Sequence, residues 1–363
     1  MITILLTSII ALFLTILDSL KLLDKGLLYA FILVTIIAAI RYDYGNDYMP
    51  YYDDYLSYNN YYIQDIINGY VEFKEPGWSI FCILFSIFGQ YGFFIMVASI
   101  SIFCNWLYYR FIKENVQRRY YWLALFIYLF TFDMYVLQMS MIRQGIAITL
   151  FVYSYHFIKS RKLLIPILLC VLAYTFHRSS IIYFPFILLS LLKWDIYGKS
   201  LSWILLGAFV IFFIGNSITE RLFGNLLTLE EMSIYERYTL AEGNKIGVRR
   251  ILEFIPFFVS LYYLAQKNTD KKGQKYMVML STIATILYPF TMIAHMVLRL
   301  TYYFSIYYIA TIPITYFYIK DKVLRYGLLS IFMLITLYLY YTTFKSPIYV
   351  DAFSKYQTIF SVL

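Results

Sequence analysis

Arg41, Arg143, Arg178 and Arg299 each stand alone at the end of an apolar stretch. A guanidinium at the edge of a membrane is costly to desolvate and always charged. Its planar fork of donors matches two phosphate oxygens at once, so four gathered on one face would suit an anionic group such as a diphosphate. The competing reading is that each side chain snorkels to the headgroups or pairs with a neighbouring Asp, and for Arg41, at a helix end, the two readings stand level. Arg143 is followed by Gln144 and Gly145 in MIRQGIAITL, where a polar edge and room for close backbone approach coincide. Arg178 follows His177 in TFHRSS, between two apolar segments. Arg299 lies about one helical turn from His295 in AHMVLRLTYYF, so those two project from one face.

A sugar hydroxyl becomes a nucleophile only beside a positioned base, and Asp47, His177 and His295 are the candidates. Asp43, Asp53 and Asp54 lie in the same segment as Asp47, whereas His156 sits beside the basic Lys159 and belongs to the opposite side. No G-x-x-x-x-G-K-[ST], G-x-G-x-x-G or H-E-x-x-H pattern occurs, so nucleotide hydrolysis, dinucleotide chemistry and zinc proteolysis have no support. Cys82, Cys104 and Cys170 fall inside apolar runs without C-x-x-C spacing and read as buried filler, not as a disulfide framework or a metal site.

The elements that position these residues belong to a membrane. The chain has 363 residues, 61% hydrophobic and 14% charged, with mean hydropathy +0.67, too apolar for a soluble fold to bury. Apolar segments of spanning or near-spanning length fall at 2–17, 27–40, 91–109, 120–133, 141–158, 163–176, 180–192, 201–217, 249–266, 276–294, 298–319 and 326–343. The first lacks a basic n-region and a cleavage site and reads as a retained helix. The segments at 27–40, 120–133, 163–176 and 180–192 are short, which predicts ends held inside protein or water and a cavity between them. Residues 77–88 form a further short apolar run between Pro76 and Gly89, read as a re-entrant or interfacial helix.

Charge then orients the chain. The segments 18–25, 110–119, 159–162, 193–199, 267–275 and 320–325 hold 18 Lys/Arg against 6 Asp/Glu and read as cytoplasmic. The complementary set, 41–76, 133–143, 177–179, 218–253, 295–299 and the tail from 344, faces outward. The expected architecture is a single all-α polytopic integral membrane domain over 1–363, with about 12 transmembrane helices, both termini outside, and a substrate face built from the outer loops 41–76 and 218–248. The first of these loops carries seven acidic residues and ten tyrosines. Tyr joins an apolar ring face to a polar edge, which complements a sugar ring, and it also populates headgroup belts, so both readings remain open. The second loop has the spacing of an interfacial helix or flap.

Taken in order, RYDYGNDYMPYY (41–52), KEPGWSIF (74–81), MIRQGIA (141–147), FHRSSII (176–182) and RLTYYF (299–304) resemble the EpsG-like group of Wzy-type polysaccharide polymerases over most of the chain up to about 320. The chain departs from that pattern in its high Tyr content and at the position after His177. The resemblance implies a GT-C-like glycosyltransferase architecture in a bacterial inner membrane, with the active face outward. It implies a polymerase that transfers a growing glycan from undecaprenyl diphosphate to the sugar hydroxyl of an incoming lipid-linked repeat unit, without cofactor or metal. Asp47, Arg143, His177 and Arg299 are then the catalytic candidates. Arg41, Asp43, Tyr44, Tyr48, Gln144, Arg178 and His295 are candidates for binding diphosphate and sugar. Expected partners are lipid-linked oligosaccharides, membrane lipid, a chain-length regulator and other glycan-assembly proteins, with no nucleic acid. A flippase or sugar exporter would want similar residues, but internal repeats of the kind many transporters carry are not evident. An O-antigen ligase or O-acyltransferase is the other alternative.

Overall fold

A computed structural model describes residues 1–58, 61, 64, 68, 75–131, 134–191, 273–287, 296–347 and 349–361. It divides into two compact units, 1–184 with 340–363, and 185–339. The outer loop 218–248, His295 and the segments 201–217 and 249–266 lie outside the described residues.

The first unit begins with α1 (Ile2–Ser19) and α2 (Gly26–Ala39), antiparallel neighbours joined by a tight turn in which Lys21 and Lys25 take left-handed backbone angles. Asp18 closes that turn by accepting the Leu27 amide at 2.8 Å, and its other oxygen receives Arg118 Nε at 2.7 Å. A two-residue strand β1 (Arg41–Tyr42) and α3 (Tyr48–Tyr58) follow, then α4 (Pro76–Phe85), a 3₁₀ stretch through Tyr91, and the long α5 (Gly92–Asn115). Gly89 breaks the run with φ 57, an angle that favours glycine, so the short apolar helix expected at 77–88 is a separate element. With 10 residues, α4 reaches only about 15 Å, half of a hydrocarbon core.

Further on come α6 (Tyr121–Phe130), α7 (Tyr135–Ser140), α8 (Ile142–Lys159), α9 (Leu164–Phe176) and α10 (Phe184–Leu189). Every residue of α6 from Leu123 onward is buried, which explains how so short an apolar helix is tolerated: protein, not lipid, surrounds it. The stretch 133–143, expected among the outward-facing connections, holds the short helix α7, in which Tyr135, Val136, Leu137, Met139 and Ser140 are buried and which ends at the non-helical Met141. α14 (Lys322–Lys345) leads into the tail, where β2 (Gln357–Thr358) pairs antiparallel with β1, Arg41 opposite Thr358. The second unit contains α11 (Gln274–Leu287), packed against α12 (Met296–Ser305) and α13 (Tyr308–Tyr318).

Large apolar side chains face outward along the helices, including Ile2, Leu6, Ile9 and Phe13 on α1 and Ile102 and Trp106 on α5. Among the described residues, Ile2–Ser19, the Pro76–Asn115 stretch and Lys322–Lys345 are long and apolar enough to cross a bilayer. The molecule is an all-α membrane protein with a minimal two-strand clasp.

Polar contacts mark the two ends of the first unit. At one, Glu114 meets Arg110 at 2.9 Å and His156 at 2.8 Å, and Arg118 meets Asp18 and Asp24. At the other, Tyr55 on α3 donates to the Gly89 carbonyl at 2.9 Å beside the start of α5. The 24 residues of α5 separate those ends by about 35 Å.

Candidate functional site

The order of residues in KEPGW builds one corner of the site. Pro76 occupies the first turn of α4 and holds Glu75 in an extended conformation, φ −142 and ψ 86, just outside the helix. Gly77 is needed next: a Cβ there would collide with the side chain and backbone of Thr175 near the end of α9. That close approach carries Glu75 to the turn that follows α9, where His177 leaves the helix with extended backbone angles.

Glu75 is where the basic groups converge. His177 Nδ1 lies 3.0 Å from Oε1, the backbone amide of Arg178 donates to the same oxygen at 3.2 Å, and Arg143 Nη1 stands 3.0 Å from Oε2. The side chains are 11% exposed for Glu75, 19% for His177 and 31% for Arg143, so the cluster is sheltered yet still within reach of a ligand. Burial works to raise the Glu75 carboxyl. The His177 hydrogen bond, the charges of Arg143 and His177 and the Arg178 amide outweigh it, holding the group below the usual carboxylate range. Glu75 is therefore an anionic anchor at neutral pH.

Arg143, in the first turn of α8, lies over the Tyr51 ring at 5.1 Å and the Trp78 ring at 6.0 Å. Its Nε is buried and makes no hydrogen bond, which leaves donor capacity beyond the Glu75 pair. Burial pushes the Tyr51 phenol up to about 12, so it stays neutral. Asp54 is close to Arg143 and Trp78. Burial raises its carboxyl; Arg143 and Trp78 lower it, Asp53 and Glu75 raise it further, and the net shift is upward.

Of the residues expected from sequence, Arg143, His177 and Arg178 are brought together, the last through its backbone amide while its side chain is exposed. Asp47 begins the first turn of α3, its carbonyl receiving the Tyr51 amide at 3.0 Å, and its charge acts on the Tyr51 phenol. Gln144 is buried beside Arg143. Asp43 is exposed in a left-handed turn with φ 43. Arg299 lies on α12 of the second unit.

Arg41, Tyr44 and Tyr48 form a different centre. Tyr44 is fully buried edge-on to Phe353 and Tyr356, and its hydroxyl accepts from the N-terminal amine of Met1 at 3.0 Å. Tyr48 is also buried, donating to the Arg41 carbonyl at 2.9 Å, with the Arg41 guanidinium 5.5 Å over its ring. Arg41 itself is only 2% exposed, so the snorkelling role is overturned: its guanidinium turns inward to the Ala38 carbonyl, Ser101 and Met139. On α3, Tyr48, Tyr51 and Tyr55 share one buried face against Trp78 and Phe93, which identifies these three as core and not as a headgroup belt.

Glu75 and Trp78 were not singled out as site residues although both lie in the KEPGWSIF motif, and Asp54 and Tyr51 were read only as members of the first outer loop. The available signal was a carboxylate immediately before Pro at a helix start, but its imidazole partner lies 102 residues away. The three cysteines are free and buried, as expected. Among the described residues no group of three or more His, Cys, Asp and Glu could hold a metal ion.

A profile of the EpsG family matches residues 26–358 of the chain. No curated protein and no solved structure shows significant similarity to it.

Proposed function

The chain belongs to the EpsG family, and from that premise we propose that it polymerises lipid-diphosphate-linked oligosaccharide repeat units on the outer face of a bacterial inner membrane. The observation that carries the site is the convergence of Arg143, His177 and the Arg178 amide on Glu75. Glu75 fixes the imidazole through Nδ1, which leaves Nε2 as the atom to take a proton, the arrangement a general base requires. The Arg143 side chain is 31% exposed, so its guanidinium can meet a phosphate oxygen while paired with Glu75.

In the reaction the acceptor sugar hydroxyl attacks the anomeric carbon of the growing chain. The bond from that carbon to the diphosphate oxygen breaks, the diphosphate leaves with the electron pair, and the hydroxyl proton passes to His177 Nε2. Arg143 stabilises the charge that develops on the departing diphosphate, with Arg299 the further candidate for that task. Asp47 and Asp54 are candidates for the acceptor sugar's hydroxyls. The twelve-crossing topology with both termini outside accompanies this reading. Its support is that residues assigned outward by charge, 75, 143 and 177, meet at one end of the first unit, while 18, 114, 118 and 156 meet at the other.

The experiment is a deletion strain analysed for lipid-linked intermediates. Surface glycan capped with one repeat unit, or accumulated single units, with no ladder of longer chains, is the expected result. Repeat units trapped on the cytoplasmic leaflet would instead assign the chain to transport and overturn the reading.

A further inference from the structure

Arg41 presents an electrostatic problem that the polymerase reading does not use. Its guanidinium has left water, it does not deprotonate in a protein, and a buried charge requires an opposite charge or complete hydrogen bonding. Among the described residues no carboxylate reaches ion-pairing distance of it. Its partners are neutral: the Ala38 carbonyl, Ser101 Oγ at 3.4 Å, the Met139 carbonyl at 3.5 Å and the face of Tyr48. Nε is buried and makes no hydrogen bond.

Beside this guanidinium lies a small cavity whose polar lining is Arg41, Ser101, Tyr135 and Gln138. The hydroxyl hydrogens of Ser101 and Tyr135 are committed, donating to the Val97 carbonyl at 2.8 Å and the Val34 carbonyl at 2.7 Å. Gln138 gives one amide hydrogen to the Tyr128 hydroxyl at 3.0 Å. The donors that remain are Arg41 Nε, the second hydrogen of Arg41 Nη2 and the second amide hydrogen of Gln138. The space accommodates about one water-sized particle. A phosphate, a diphosphate or a sugar is too large, so the diphosphate role expected of Arg41 from sequence does not fit this cavity.

We propose that this cavity binds a single monatomic anion of the chloride class, held between Arg41 and Gln138 as the counter-ion of the buried guanidinium. A water molecule would fill the same volume and satisfy the same donors, but it would leave the charge uncompensated. The anion does both.

The test is thermal unfolding of the purified protein in nanodiscs, titrated with sodium chloride against sodium gluconate at constant total ionic strength, and repeated with bromide and with pyrophosphate. Chloride and bromide should raise the apparent Tm saturably, by about 3 °C or more. Arg41→Gln should abolish the halide dependence, and Gln138→Met should shift the titration midpoint upward by about tenfold through the lost donor. If Arg41→Gln does not fold, the Gln138→Met midpoint decides alone. Equal melting in chloride and gluconate would mean that the cavity holds water, and the proposal would be wrong. A halide effect unchanged in Gln138→Met would place the ion elsewhere, and a pyrophosphate stabilisation that Arg41→Gln abolishes, with no halide effect, would return Arg41 to the substrate; both outcomes overturn it.

Discussion

Glu75→Gln separates charge from shape at the centre of the site. The amide keeps one oxygen to accept from the Arg178 N–H and the His177 ring, now 3.2 and 3.0 Å from Oε1, but it places a neutral group where Oε2 faces Arg143. A hydrogen bond to a charged group contributes about 1.5–3 kcal/mol, and breaking a fully buried pair costs more. Arg143 is partly exposed and keeps Tyr51 and Trp78 over its plane, so part of its charge is recovered by water and ring faces. The expected loss is about 2 kcal/mol, an apparent Tm lower by roughly 4 °C or more. The pH dependence has a definite sign. The folded carboxyl titrates below its ordinary value of 4.5, so its contribution is fully present above that pH and disappears as pH falls through the folded value. The gap in Tm between wild type and variant should therefore hold from pH 6 to 8 and close on acidification below about pH 4.5. Turnover of purified lipid-linked repeat units should fall by about 100-fold, because a misaligned imidazole no longer meets the hydroxyl. A double-mutant cycle with Arg143→Gln should give a coupling of about 1 kcal/mol or more. A Tm within about 1 °C of wild type together with turnover within about twofold would refute the role of Glu75 as anchor.

Arg143→Lys keeps the charge and loses the fork, so polymerisation by the purified variant should fall about tenfold or more with protein level unchanged. Arg41→Lys should leave several acceptors of a buried guanidinium unfilled and lower stability by about 2 kcal/mol, read as reduced yield and Tm; a variant that melts like wild type would return Arg41 to a snorkelling position. In a variant lacking the three native cysteines, single cysteines at 113 and 160 should label only from the cytoplasmic side and those at 47 and 178 only from outside. Labelling of 113 and 178 from one side would remove the common face.

The ends of the bundle were legible because charge is sparse in this chain and concentrated where apolar runs stop. Arg110, Arg118 and His156 were assigned to one side and Arg143, His177 and Arg178 to the other; Arg110 and His156 share Glu114, Arg118 takes Asp18 and Asp24, and Arg143, His177 and the Arg178 amide share Glu75. The pairing inside a set was not legible. Glu75 reaches His177 only because Pro76 sets its backbone and Gly77 lets α4 approach α9, and neither effect has a period that a sequence window detects. Arg41 looked like an end-of-helix charge at the interface because only its neighbours in sequence were visible. Its guanidinium is enclosed by Ser101 and Met139, 60 and 98 residues away. Helix α7 escaped for a related reason: a six-residue run after an expected crossing has the length of a loop, and only the surrounding helices make it interior.

The pairing of β1 with β2 bears on the order of assembly. Tyr356 donates to the carbonyl of Ile37, 319 residues earlier, the Ala352 carbonyl receives the Gly45 amide, and the Met1 amine joins the Phe353 carbonyl. Helix pairs such as α1 with α2 and α8 with α9 can close while the chain is still being synthesised, since their contacts are local. The segment around Arg41 cannot. It is sealed only after the segment carrying Tyr356, 319 residues beyond Ile37, has been made. A chain cut short before Tyr356 would hold its early helices and still lack this closure, so one contact makes the early segment depend on one made far later.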